Sequence, residues 1–126
     1  MQFLLNHFYI FLSIILAVVG QLIIKWQMSA FSFNDYVTWQ DKYMLAFSML
    51  LNPYIVLSVL FTLFAGLSWM IAMTKFEISY AYPFTFLGIV LVTIFSAMFF
   101  GENINTYKIL GIALIILGIA VISKGI

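Results

Sequence analysis

The stretch "PYIVLSVLFTLFAGLSWMIAMT", residues 53–74, passes without a single charge. A crossing of the bilayer core needs about 20 apolar residues, so this run is long enough to span it. Asn52 before it reads as a helix N-cap, with Pro53 at the first helical position. The segment after it, "TKFEI" at 74–78, is short, and a second apolar run follows at once. An unpaired backbone group costs several kcal/mol in lipid, so both runs must be helices. A connection this tight makes them antiparallel neighbours.

The same reading extends in both directions. Apolar runs at 8–28, 78–100 and 107–123 complete a set of four, and "GENINT" at 101–106 joins the last two through Gly and Asn residues that favour turns. The expected fold is an all-α membrane protein, a single four-transmembrane-helix domain over residues 1–126 with both termini on one side. A cleavable leader is a poor reading of the first run. Nothing basic precedes it, it exceeds the length of an h-region, and no small-residue cleavage site follows. The first connection, 29–52, is longer than the others. Its "NDYVTWQDKY" mixes acids with aromatic residues, as at the lipid headgroup level, and "MLAFSMLL" then returns to apolar character. It reads as an interfacial amphipathic helix or as an ordered loop.

Composition supports the membrane assignment and narrows the function. Hydrophobic residues make up 66% of the chain and charged residues 7%, a balance that no water-soluble domain of this size could carry on its surface. The formal charge of +1, with no Arg, provides no basic cluster for nucleic acid. With no Cys, disulfides and thiolate chemistry are excluded. His7 is the single His and the acids lie in connections, so neither a metal cluster nor a Ser–His–acid triad is expected; the chain reads as a non-enzyme without cofactor. His7 itself, near the chain start, reads as a solvated interface residue. Asp35, Asp41, Glu77 and Glu102 all fall outside the middle of the apolar runs, whereas proton-coupled pumps generally use an intramembrane titratable group. Lys75, Lys124 and the terminal amine balance Lys25, Lys42 and Lys108 across the membrane, so the cationic bias that sets orientation is close to nil. Such a chain is compatible with dual insertion and an antiparallel dimer.

Polar residues inside the runs are the candidate site. Ser13, Ala17, Gln21 and Lys25 recur every four residues, forming one slowly drifting stripe with Gly20 beside it. Small and polar residues on one stripe usually face protein or a cavity. Lys25, next to Trp26, is either a snorkelling anchor or a cationic site for an anionic headgroup. In "SYAYPF", Pro83 cannot donate to the carbonyl of Ser79, so it either opens the third helix locally or starts it. Tyr80, Tyr82 and Trp69 either hydrogen-bond a polar substrate or lie in the aromatic belt. Gly111 and Gly118 give the last helix a seam for close helix approach, read as a dimer contact in preference to an intrachain one.

"VGQLIIK", "AYP", "FFGENI" and "GIALIILGIAVI" together resemble the drug/metabolite transporter superfamily in its small four-helix form, over nearly the whole chain. The first helix and "AYP" look most like the small subunits of the aminoarabinose undecaprenyl-phosphate flippase and related EamA-like proteins. The small multidrug resistance branch shares the architecture but depends on a Glu near the position of Ala17, and this departure removes most of the case for a cationic-drug antiporter. The resemblance implies a bacterial inner-membrane transporter that flips a polyprenyl-phosphate-linked sugar, with Gln21 and Lys25 at family positions. The expected assembly is a homodimer, antiparallel if both orientations insert, or a heterodimer with a similar small subunit. A proton-coupled exporter and a non-transporting subunit of a glycolipid-modifying complex are the alternatives.

Overall fold

The computed structural model describes residues 2–29 and 38–125. In order these form α1 (Gln2–Met28), α2 (Trp39–Met49), α3 (Pro53–Ala72), α4 (Ile78–Ala81), a 3-10 turn (Tyr82–Phe86), α5 (Leu87–Phe100) and α6 (Thr106–Ser123). Four segments among them are long and apolar enough to cross a membrane: Leu4–Met28, Pro53–Ala72, Ile78–Phe100 and Thr106–Ser123. The all-α four-span bundle read from the sequence is therefore the fold. The third span is composite, made of α4, the 3-10 turn and α5.

Element ends differ from expectation where side chains cap them. The first helix begins at Gln2 rather than residue 8, because His7, Ile10 and Ile14 already share its inward face. His7 is consequently not a solvated interface residue: it is buried among Phe76, Tyr80 and Phe84. The second span is capped as anticipated, Asn52 accepting from the Tyr54 amide at 2.8 Å. The same side chain donates to Gln27 at 3.0 Å and so ties the end of α1 to the start of α3. That span ends at Ala72, where the Lys75 amide reaches the Ala72 carbonyl and closes the turn. Asn105 accepts from the Lys108 amide at 2.9 Å and starts α6 one residue early.

α1 is the central helix. Against α3 it packs on a stripe of small residues, with Ser58, Ala65, Ser68 and Ala72 all buried beside Ile55. Such residues let two backbones approach where lipid supplies no hydrophobic drive between helices. Gly20 is the point of closest approach, since a Cβ there would lie 3.1 Å from both the Ser58 carbonyl and Thr62 Oγ1. On another face α1 meets the third span at Gly88, where a Cβ would sit at ordinary contact distance from Val18 and Ile14, 3.5 and 3.7 Å away. α6 lies outermost, with Ile119 its one buried residue. A Cβ at Gly111 or Gly118 would meet nothing within 4 Å among the described residues, so neither glycine marks a close helix approach there.

Two local features place the site. Helix already runs through Ile78–Ala81 before Pro83, so the proline opens the helix rather than starting it, and the chain tightens to 3-10 geometry over Tyr82–Phe86. At the far end of the span Gly101 adopts φ 67°, a left-handed conformation that glycine takes without a Cβ penalty. The Glu102 amide then turns back to the Ser96 carbonyl, and α5 stops there. The first connection contains α2 over Trp39–Met49, in agreement with the helical reading; residues 30–37 of that connection lie outside those described. Leu45 and Met49 hold it against Ile55 and Met28, while Trp39, Tyr43, Met44 and Phe47 point outward.

Candidate functional site

The polar stripe of α1 meets the third span at a groove of about 310 Å³. Ser13, Ala17 and Gln21 line it from α1, and Thr85, Gly88 and Thr93 face them, interleaved with the apolar Ile14, Val18, Ile89 and Val92. The two threonine hydroxyls donate back to their own helix, Thr85 to the Tyr82 carbonyl at 2.6 Å and Thr93 to the Ile89 carbonyl at 2.8 Å. Their oxygens keep acceptor capacity toward the groove. Ser13 is buried and Gln21 exposed, so the polarity runs from the packed interior outward.

Lys25 continues the stripe one turn beyond Gln21. Its Nζ lies 3.7 Å from a carboxylate oxygen of Glu102, which the Gly101 turn carries back toward α1. Both side chains are substantially open, at 55% and 43% exposure, so the pair is weak by its setting. Beside it Trp26 packs edge-on against Tyr54, their ring centroids 4.9 Å apart.

The remaining candidates fall elsewhere. Trp69 and Tyr82 meet edge to face at 6.1 Å, joining α3 to the 3-10 turn, and Tyr82 faces outward. Tyr80 is not at the groove. Its ring is buried in the core and its hydroxyl shares a 2.9 Å hydrogen bond with Nε2 of His7. Ser13 and Gln21, which share a stripe by their spacing, line one groove, and the structure adds Thr85, Gly88 and Thr93 to it. Thr85, Gly88 and Thr93 recur at helical spacing, which was the available signal. Glu102 as the partner of Lys25 had no such signal, because a turn positions it.

The groove, part polar and part apolar, thus lies within a four-span bundle, and Lys25 follows its Gln21 by one turn of α1. Residues 4–124 match the EamA-like transporter family.

The chain belongs to that family.

This EamA-like transporter is 32% identical over 82 residues to a protein of Aeromonas salmonicida named "Probable 4-amino-4-deoxy-L-arabinose-phosphoundecaprenol flippase subunit ArnE", covering 65% of this chain and 72% of that one. A protein of the same name from Hamiltonella defensa is 34% identical over 70 residues, covering 56% of this chain and 63% of that one. The Aeromonas hydrophila protein of that name matches at 32% over 82 residues, again covering 65% and 72%. No solved structure matches the chain. Four spans and membership of this family make it a multi-pass transporter of the bacterial inner membrane.

Proposed function

We propose that this EamA-like chain is a flippase, or a subunit of one, for a sugar carried on a polyprenyl phosphate. The observation that carries the reading is the groove of Ser13, Gln21, Thr85 and Thr93, with Lys25 one turn beyond it. A sugar headgroup crossing the hydrocarbon must exchange its water for donors and acceptors, and an amide with three hydroxyls supplies both. The lysine gives a phosphate its counter-charge at the groove's end. A proton-coupled exporter of cations is less well supported. Ala17 stands in the groove, and among the described residues the carboxylates Asp41, Glu77 and Glu102 lie outside the four spans. The relatives' names make a 4-amino-4-deoxy-L-arabinose-phosphoundecaprenol the first substrate to test.

Partnership belongs to the same reading. α6 is the least buried span, and its Gly111 and Gly118 have no neighbour within the protomer. A second copy or a similar small subunit packs there, in antiparallel orientation if the near-balanced lysines permit dual insertion. Mass spectrometry of lipid retained by the purified protein tests the substrate class. A polyprenyl phosphate species is expected; retention of bulk phospholipid alone would overturn the proposal.

A further inference from the structure

A second groove lies on the other side of the seam between α1 and α5, and it is apolar throughout. Ile15, Val19 and Leu22 form one wall, and Leu91, Phe95 and Phe99 the other, around about 470 Å³. A further 420 Å³ continues it toward Trp26 and Phe100, sharing Val19, Leu22 and Phe99 with the first part. The two parts share these side chains, and from Ile15 to Trp26 they follow about 16 Å of helix. Phe95 and Phe99 lie nearly parallel, with rings inclined at 12° and centroids 5.9 Å apart, so the α5 wall is flat.

The polar end of this channel is the ion pair. Trp26 and Phe100 line the far part of the groove; Lys25 adjoins Trp26 in the chain, Glu102 follows Phe100 by two residues, and the two charged side chains meet at 3.7 Å. Helical drift explains why one lysine serves two grooves: a stripe repeating every four residues advances about 40° each time. Ser13, Ala17 and Gln21 face the polar groove, and by Lys25 the stripe has turned toward the seam, between Gln21 on one side and Leu22 on the other. An apolar groove that runs toward an exposed, exchangeable lysine is complementary to a hydrophobic chain bearing a phosphate.

We propose that the α1–α5 apolar groove binds the isoprenoid chain of a polyprenyl phosphate, and that the lipid's phosphate displaces Glu102 from Lys25 on binding. The assignment rests on the flippase reading and adds where the chain lies and what its phosphate competes with. Glu102 is thus an affinity-setting residue: it holds Lys25 in place while the groove is empty and yields to a better anion. An exposed pair of this kind is weak enough to be exchanged.

The test is equilibrium binding of undecaprenyl monophosphate to the full-length protein in detergent, with undecaprenol and phosphatidylglycerol as competitors. Glu102→Gln, on an exposed turn, is expected to raise affinity about two- to five-fold by removing the competing charge. Val19→Trp fills the shared part of the groove and is expected to lower affinity at least ten-fold. Monodisperse elution and unchanged helix content confirm that each variant is folded, and Phe99→Trp from the opposite wall repeats the block if Val19→Trp does not fold. Undecaprenol is expected to compete at least ten-fold more weakly than the phosphate. If the parent binds undecaprenyl monophosphate but neither Glu102→Gln nor a groove-filling variant changes the affinity, the groove assignment is wrong and the flippase reading stands. If the parent does not bind it at all, both fall. Equal competition by phosphatidylglycerol would make the groove a general lipid contact and overturn the single-chain assignment.

Discussion

Gly20 and Gly88 are both glycines of tight helix packing, yet they are expected to answer substitution oppositely. At Gly20 an added methyl meets the Ser58 backbone carbonyl at 3.1 Å, which cannot move without shifting α3. Gly20→Ala is expected to cost about 1–3 kcal/mol, the usual range for overpacking. At Gly88 the methyl meets only side-chain carbons at ordinary contact distance, so Gly88→Ala keeps the gain in helix propensity, up to about 1 kcal/mol. Unfolding of the two variants in mixed micelles separates them; equal stability would mean that α1 and α3 are not so close. His7 gives a second residue-scale test. His7→Phe preserves a ring for Phe76 and Phe84 but deprives the buried Tyr80 hydroxyl of this partner. Membrane double-mutant cycles put such interhelical bonds near 0.6 and up to about 1.7 kcal/mol, so a loss of about 1 kcal/mol is expected in the same assay. This pair was not legible in the sequence, because 73 residues separate the partners and a lone polar residue near a chain start normally meets water. The Ser13–Gln21 stripe was legible, since periodicity alone fixes which residues share a face.

At the scale of elements, the two short turns and the Asn52–Pro53 start were readable because capping chemistry is local. The composite third span was only half readable: Pro83 announced a disturbance, and whether helix preceded it depended on Tyr80 and Ala81 being buried in the core. Tertiary packing resolved what the propensity left open. The free face of α6 sets the prediction for this scale. At Gly118 an added Cβ meets nothing within 4 Å among the described residues, so Gly118→Leu is expected to leave monomer stability nearly unchanged while weakening the proposed dimer at least ten-fold in detergent titrations. Gly66, also without a neighbour within 4 Å but on α3, is the control position: Gly66→Leu is expected to leave association intact. An unaffected dimer in Gly118→Leu would move the seam to another helix.

For the whole molecule, four spans require Ser29 and Ser123 to lie on opposite sides in any one orientation. Cysteines placed there, labelled with an impermeant reagent in a population of fixed orientation, are expected to react from opposite faces; labelling from one face would contradict the topology. The functional claim is that the polar side of the α1–α5 seam carries a sugar headgroup through the membrane. Gln21 lines that groove and is exposed, so Gln21→Leu removes a donor and an acceptor at an exposed position and is expected to leave the bundle intact. The decisive measurement is translocation of a polyprenyl-phosphate-linked aminosugar in proteoliposomes that contain the complete flippase, comparing the parent with Gln21→Leu at matched protein and oligomer content. The account predicts at least a ten-fold slower flip with assembly unchanged; translocation by Gln21→Leu at the parent's rate would contradict it.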